Sequence, residues 1–567
     1  MIQRLTAWLS GTRGVPLTVL IATLIALPAL RLGFQADDHV LAVALTRGEP
    51  AWSLFRISEA LVAEGREVGA VAWWASPHMH GEFLRPLSSL SMALQLWMGA
   101  PAWQMLMVNV LVHAACAWFG AQLYRRLAPS LSSAALAGLM FAVDDAQAHS
   151  VGWISGRNTM LALLGSLAAL WFHVRAADTG KRRHALASLL AAMFALGAGE
   201  AGTWAYAFLF AYAWLLDTRP AALRIAALAP QLIVGAAWAA IYVRGGYGFH
   251  HTSWYLEPAA PWHVLVEGIA NVPLYLTSLL GPSVIAFSVV APLWQARLLL
   301  LPVAACLLWM LWPALWSSRS SRFFGLVTAL GTLPAFLTVP QDRVLIGASF
   351  GAFGWIASAL HSREGAQSLR QRCTRRVLLA CHVWIAAAMF VPMLAAQTRF
   401  EVASQAITAL AKPDRVVVLI NTPVELLANY TVAEIARAGV PSPPPRAVHQ
   451  LYTGGSELSV ERTDARTLEV TAARGWGYLP VERIFCAADE LPQAGEQRRV
   501  HGMSIRVLES TPEGAPSRVR FTFDQTLESD TLQWLAWTEA GKPTPFQPPA
   551  VGEHLRIAAM SLLKALP

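Results

Sequence analysis

Long apolar stretches set the limits on this chain. The first, Val15 to Leu30, holds no charged residue. Others follow at about 102–123, 131–145, 158–175, 185–199, 203–217, 222–243, 294–316, 323–340, 343–360 and 377–396, about eleven in all. Each is near the ~20 residues that cross a bilayer, or somewhat short of it. Inside lipid only helices and closed barrels satisfy their own backbone groups. The sequence therefore predicts a polytopic α-helical membrane protein of about 11 transmembrane helices. Composition agrees: 14% of residues are charged and 55% hydrophobic, where a soluble chain has about a quarter charged. The 23 Trp, 34 Pro and 39 Gly also suit membrane helices and their interfaces. Arg4 and Arg13 precede the first stretch, no small-residue cleavage site follows it, and it reads as a span rather than a signal peptide. The amphipathic, Pro-interrupted stretch 263–292 reads as a surface or re-entrant element.

The distribution of charge orients the spans. With the N-terminus inside, the inner loops carry Arg125 and Arg126; Arg175, Lys181, Arg182 and Arg183; Arg219 and Arg224; Arg319 and Arg322; and Arg363, Arg370, Arg372, Arg375 and Arg376. The inner acids are few, Asp178, Asp217 and Glu364, whereas the outer loops collect most of the rest. This is the positive-inside pattern, and an odd span count puts the C-terminus outside. The net charge of +8 thus sets topology rather than a nucleic-acid footprint. The five Cys have no paired spacing and support neither a disulfide framework nor a metal knuckle. The Ala- and Arg-rich composition points to a bacterial inner membrane, with a cytoplasmic N-terminus and a periplasmic outer face.

Two parts are predicted, a transmembrane domain over 1–396 and a soluble β-rich (α+β) extracytoplasmic domain over 397–567. Within the first, residues 33–84 form a long acidic outer loop. Its middle, roughly Ala51 to Ala63, could lie on the membrane surface, and Trp73 and Trp74 are placed against headgroups. In the second, Arg415 to Ile420 reads as a buried strand, Asn421-Thr422-Pro423 as a turn, and Val424 to Gly439 as a helix. Segments Glu457–Arg462, Thr467–Ala472, Met503–Leu508 and Arg518–Asp524 read as further strands, the last by strict alternation.

The residues able to carry chemistry fall on the outer face. Asp37 and Asp38 stand where the first span ends, in Gly33-Phe34-Gln35-Ala36-Asp37-Asp38-His39. A carboxylate there can take a proton from a hydroxyl or bind a divalent cation, or simply mark the loop. Asp144, Asp145 and His149 end the third span and either add metal ligands and acid–base groups or cap a short helix. Arg157 either holds a phosphate or snorkels to headgroups. Glu200 interrupts an apolar run, as a functional acid or as one solvated turn residue. Asn109 and His113, four apart on one helix face, read as glue between helices. His250 and His251 in another outer loop are metal ligands, acceptor contacts or neither. Asp342-Arg343 sits in a short outer turn, where the Arg fork suits a lipid phosphate and the plain alternative is an internal ion pair. There is no P-loop, dinucleotide fingerprint, nucleophile elbow or zincin motif.

These residues carry a resemblance. Asp37-Asp38; Phe83-Leu84-Arg85-Pro86-Leu87; Gly99-Ala100-Pro101; Asn109-Val110-Leu111-Val112-His113; Phe141-Ala142-Val143 through Val151-Gly152-Trp153-Ile154-Ser155-Gly156-Arg157; Glu200; and Asp342-Arg343 follow in order. The series resembles the GT-C superfamily of membrane glycosyltransferases, in particular protein O-mannosyltransferase-like enzymes and their bacterial counterparts, over roughly residues 15–360. It departs at Asp144-Asp145-Ala146-Gln147-Ala148-His149, where that group usually has His-Pro-x-His. The resemblance implies a polyprenyl-phosphate-linked sugar donor, a protein or glycan acceptor outside the membrane, and inversion at the anomeric carbon. It assigns Asp37 or Asp38 as general base and Arg85, Arg157 or Arg343 to the donor phosphate. Asp144, Asp145, His149, Glu200 and Asp342 are further site candidates. A divalent cation (Mg or Mn) at Asp38, Asp145 and His149 is compatible with it and not required. Two other readings stay open: a transporter or flippase for a lipid-linked glycan, and a membrane anchor displaying the C-terminal domain.

Overall fold

The structure, a computed structural model, describes residues 6, 8–283, 292–361, 369–396, 398–538 and 540–559. Arg4, Arg363 and Glu364 of the predicted inner segments lie outside the described residues.

Among the described residues, seven helical runs are long and apolar enough to cross a membrane: Gly14–Arg31, Ala102–Leu127, Arg157–Thr179, Ala221–Arg244, Leu293–Leu315, Asp342–His361 and Gln371–Leu410. The count becomes eight if the pair Pro261–Ala270 and Val272–Leu280, bent by 51°, is one span. That pair occupies the stretch read as a surface or re-entrant element. The structure does not bear out a count of eleven full spans. The other four predicted spans are helices of 12, 17, 12 and 13 residues: Leu131–Ala142, Arg182–Ala198, Trp204–Leu215 and Arg319–Gly331. At 1.5 Å per residue they reach roughly 18–26 Å, against about 30 Å of hydrocarbon.

The bundle has an inner pillar and a periphery. The window of the Asp342–His361 run is 89% buried, that of Ala221–Arg244 only 11%. In the pillar, glycines let the backbones of neighbouring helices meet closely. A Cβ on Gly351 would lie 2.5 Å from the Thr328 amide nitrogen and 2.7 Å from the Phe324 carbonyl oxygen of the adjoining helix.

The loop after the first span is folded. Helix α1 (Asp37–Thr46) follows it directly, then strand β1 (Arg56–Ile57), helix α2 (Glu59–Val68) and strand β2 (His80–Glu82). Strand β3 (Gly248–His250), from a distant loop, completes a three-stranded antiparallel sheet in the order β1-β2-β3. Part of this segment packs into the protein, while its Trp52 is 61% exposed. Val62 of α2 is buried with Met79, Phe249 and Phe485, and Trp73 and Trp74 are 4% and 0% exposed. Trp73 packs edge-on against Trp476 and Phe521, and its Nε1 donates to the Leu451 carbonyl at 3.0 Å. The two indoles are therefore core residues of the joint with the C-terminal region, not headgroup contacts.

The C-terminal region begins with helix α3 (Thr398–Leu410), strand β4 (Val416–Thr422), helix α4 (Leu426–Ala438) and strand β5 (Ala447–Thr453). Strand β4 runs through Asn421 and Thr422, which had been expected in a turn. Antiparallel strands β6 (Leu458–Asp464), β7 (Thr467–Ala472), β8 (Gln497–Val500), β9 (Met503–Ser510) and β10 (Pro516–Phe523) follow, then β11 (Leu532–Trp537), β12 (Pro543–Pro545) and β13 (His554–Ile557). They form a four-stranded sheet β12-β11-β4-β5 and a six-stranded sheet β13-β6-β7-β10-β9-β8. Successive side chains of a strand point to opposite faces. Val416, Val418 and Ile420 accordingly enter the core between the sheets, while Val417 and Leu419 pack on Ile407 of α3 and Leu427 of α4. Burial on both faces is what the unbroken apolar run of β4 requires.

Candidate active site

The turns at one end of the bundle, together with α1, α2, β3 and α4, enclose a cavity of about 1140 Å3. Asp37, Arg85, Asp145, His149, Glu200, Asp342 and Arg343 all line it. Residues of four outer loops predicted to share one face thus meet at one chamber. Much of the remaining wall is apolar, with Leu54, Phe83, Trp153 and Trp204 among its residues.

Asp37 and Asp38 part company in the first turn of α1. Asp38 turns away from the cavity and is 3% exposed. Its Oδ2 accepts from the Gln35 amide at 3.0 Å and its Oδ1 from the Ser155 amide at 2.8 Å and the Ser155 hydroxyl at 2.5 Å. Burial pushes its carboxyl up to about 6, against those hydrogen bonds. Asp37 lines the cavity. Burial raises its pKa, while the Arg343 guanidinium, a hydrogen bond from the Tyr430 hydroxyl and Arg85 pull it back. The residue before it, Ala36, has φ +50° and ψ −120°, a conformation costing an L residue on the order of 1–3 kcal/mol. The Gln35 side chain donates to the Gly152 carbonyl at 3.1 Å and ties this turn to the next loop.

Cationic groups stand in the same wall. Arg85 Nε donates to Glu200 Oε2 at 2.7 Å, and its guanidinium lies 3.8 Å from the Phe83 ring centroid. Glu200 Oε1 also accepts from the Leu84 amide at 3.1 Å. Arg343 donates to Gln341 Oε1 at 2.7 Å and lies 4.8 Å from the Trp153 ring. On the far side, Asp145 accepts from Ser283 at 3.1 Å, and Asp342 accepts from the Ser278 hydroxyl. Burial and the Asp342 charge push Asp145 up to about 6. Burial, reinforced by Arg343, pushes His149 down to about 3, so its imidazole is neutral at pH 7.

Two other expected site residues are structural. Arg157 does not reach the cavity wall and is fully buried. Its Nε donates to Asn109 Oδ1 at 2.8 Å and its Nη2 to the Met105 carbonyl at 2.6 Å, with longer contacts to Ser91. Asn109 donates in turn to the Trp153 carbonyl at 2.8 Å. Its guanidinium is engaged by Asn109 and by carbonyls of two neighbouring helices, and Arg157 is not among the residues lining the cavity, unlike Arg85 and Arg343. Asp144 is the N-cap of the helix Asp145–Val151, accepting from the Ala146 amide at 3.2 Å and from Ser349 at 2.9 Å.

The suggested cation site at Asp38, Asp145 and His149 is corrected. Asp38 is saturated by backbone and hydroxyl donors, and among the described residues no group of three or more His, Cys, Asp or Glu is arranged to hold a metal ion. Outside the cavity, His250 stacks on His80 at 4.9 Å, and His251 is bonded to Glu490.

Sequence reasoning missed Tyr242, Tyr255, Arg399 and Tyr430, which also line the cavity. Tyr430 comes from α4, in the part read as a separate soluble domain. No signal in the sequence pairs it with a residue almost four hundred positions earlier.

No family model matches the chain, and no curated protein matches it. Among solved structures it is similar to ArnT from Cupriavidus metallidurans bound to undecaprenyl phosphate, at 12% identity over 78% of this chain and 90% of that one, with a TM-score of 0.39. It is similar also to ArnT of the same organism in the apo state, at 13% identity over 77% and 89%, with a TM-score of 0.38.

Proposed function

We propose that this chain is a GT-C-like membrane glycosyltransferase that moves a sugar from a polyprenyl-phosphate donor to an acceptor hydroxyl outside the membrane. The observation that carries the reading is Asp37, a cavity-facing carboxylate with the Arg343 and Arg85 guanidiniums acting on it. In the reaction, the acceptor O–H gives its proton to Asp37. The acceptor oxygen attacks the anomeric carbon, and the bond from that carbon to the lipid-phosphate oxygen breaks. The phosphate leaves with the electron pair, and the configuration inverts.

The chain's residues divide this work. Asp37 is the base, and burial keeps its carboxyl basic enough to take a proton. Arg343 and Arg85 hold the donor phosphate and stabilise the charge that grows on it. Glu200 fixes the fork of Arg85. The tail of the donor stays in the bilayer while its head enters through the bundle. The C-terminal region roofs the chamber and faces the acceptor. The setting proposed from composition is a bacterial inner membrane, and the charge asymmetry of the loops supports a cavity on its outer, periplasmic side.

The test is transfer by purified protein across a panel of polyprenyl-phosphate sugars, read by mass spectrometry. Asp37→Asn is expected to lose transfer while still inserting and folding. Full activity in that variant sinks the mechanism. Flux of a lipid-linked glycan across vesicles with no glycosidic product favours a flippase instead.

A further inference from the structure

Helix α4 reaches the Asp37 turn from the far end of the chain. Tyr430 and Arg437 are seven residues apart and so lie on one face of that helix, two turns from each other. Tyr430 is buried and lines the same cavity as Asp37, near enough for its hydroxyl to lower the pKa of the Asp37 carboxyl. Arg437 Nε donates to His39 Nδ1 at 2.7 Å, and its guanidinium lies 4.8 Å from the Phe34 ring. Because His39 Nδ1 accepts, Nε2 carries the ring proton and donates to Glu401 Oε2 of α3 at 2.9 Å. Phe34 and His39 bracket the turn that holds Ala36 and Asp37. The turn is thus gripped on both sides by α4, and α4 is in turn held to α3 by Glu434, which accepts from Ser404 at 2.6 Å. A non-glycine residue at positive φ persists only where its surroundings over-determine it, and this grip supplies that.

We infer that Tyr430 is a positioning residue of the active site, and that the C-terminal region, through Tyr430 and the Arg437 anchor, sets the placement of the Asp37 carboxylate and its readiness to take a proton. The hydrogen bond favours the ionised carboxylate, so it opposes the effect of burial. The C-terminal region is then part of the catalytic unit rather than a separate acceptor-binding module. Its catalytic meaning rests on the transferase reading, while its structural content does not.

The experiment is an infrared titration of the Asp37 carboxyl band in the full-length protein, isolated as wild type minus Asp37→Asn. Tyr430→Phe keeps the ring and removes the donor. Its band is expected to titrate about one to two pH units higher than in wild type, since a hydrogen bond to a charged group is worth about that much. Arg437→Gln releases the anchor and is expected to raise the midpoint by a smaller amount, which keeps the test open if the Phe variant fails to fold. In a transfer assay the acid limb of kcat/KM moves up with the midpoint, while donor KM stays within about twofold. An unchanged midpoint in every variant that folds overturns the inference and leaves the transferase reading standing. Retained transfer in Asp37→Asn overturns the transferase reading and leaves the midpoint result intact.

Discussion

The charged residues of these loops fall into two settings that differ in who satisfies them. Behind the wall, Asp38, Asp144 and Arg157 spend their hydrogen bonds on backbone groups and on Ser and Asn side chains of neighbouring segments. At the wall, Asp37, Arg85 and Arg343 meet other side chains and the chamber itself. Bonds to the backbone cannot be exchanged without unfolding a turn, whereas bonds between side chains at a cavity can give way to a substrate. Of two identical residues one position apart, Asp38 therefore serves structure, and Asp37 is the one left open to the proposed chemistry.

The widest separation is expected between those two carboxylates. Asp37→Asn should lower kcat by about 10²–10⁴-fold, the usual worth of a general base, with an unchanged melting temperature. Asp38→Ala should do the reverse, stranding three buried donors at about 1–3 kcal/mol each, seen as a lower melting temperature in detergent. An Asp38→Ala protein that melts normally yet transfers nothing breaks the comparison. The arginines come next. Arg343→Met should cost about 10²-fold in kcat/KM, as loss of one charge-stabilising donor does, without a stability change. Arg157→Met should unfold more readily by about 3 kcal/mol, because it leaves buried acceptors unpaired.

A pH profile sharpens the same contrast. The Asp37 pKa is raised in the folded protein, so the base is lost as pH falls through that raised value. The acid limb of kcat/KM should therefore lie above the ordinary carboxylate range near 3.9, and disappear from the residual rate of Asp37→Asn. The smallest effect belongs to Glu200→Gln. It keeps an acceptor for Arg85 and removes one charge of a partly exposed pair, worth up to about 1 kcal/mol. A severalfold rise in donor KM with kcat kept is expected.

Much of this arrangement is legible in the sequence, for definite reasons. Asymmetry of Lys and Arg between loops marks the side of the bundle on which a turn lies, and so gathers Asp37, Asp145, Glu200 and Asp342 before any fold is known. The apolar run of β4 marks a strand with two covered faces. What the pattern cannot carry is direction and depth. Side assignment is the same for Asp37 and Asp38, and only the turn at Ala36 separates them. Arg157 and Arg343 both sit at a predicted helix start, but one has Asn109 and the Met105 carbonyl within reach and the other has the chamber. Trp73 and Trp74 have the composition of an interface belt, and a sheet from the other end of the chain covers them instead. Short helices such as Trp204–Leu215 read as full spans because hydropathy does not register where a helix gives way to a turn.

The pairing of Arg437 with His39 spans 398 positions, and that separation has a consequence for manufacture. At roughly 5–20 residues per second of synthesis, the first loop waits roughly 20–80 s for its clasp. Throughout that interval Gly69, whose Cβ position lies 2.1 Å from the Val448 carbonyl oxygen, and the paired indoles beside it have nothing to rest on. The chamber cannot close around a donor until Tyr430 and Arg437 have been made, so a nascent chain that stops short of them sits in the membrane without its clasp.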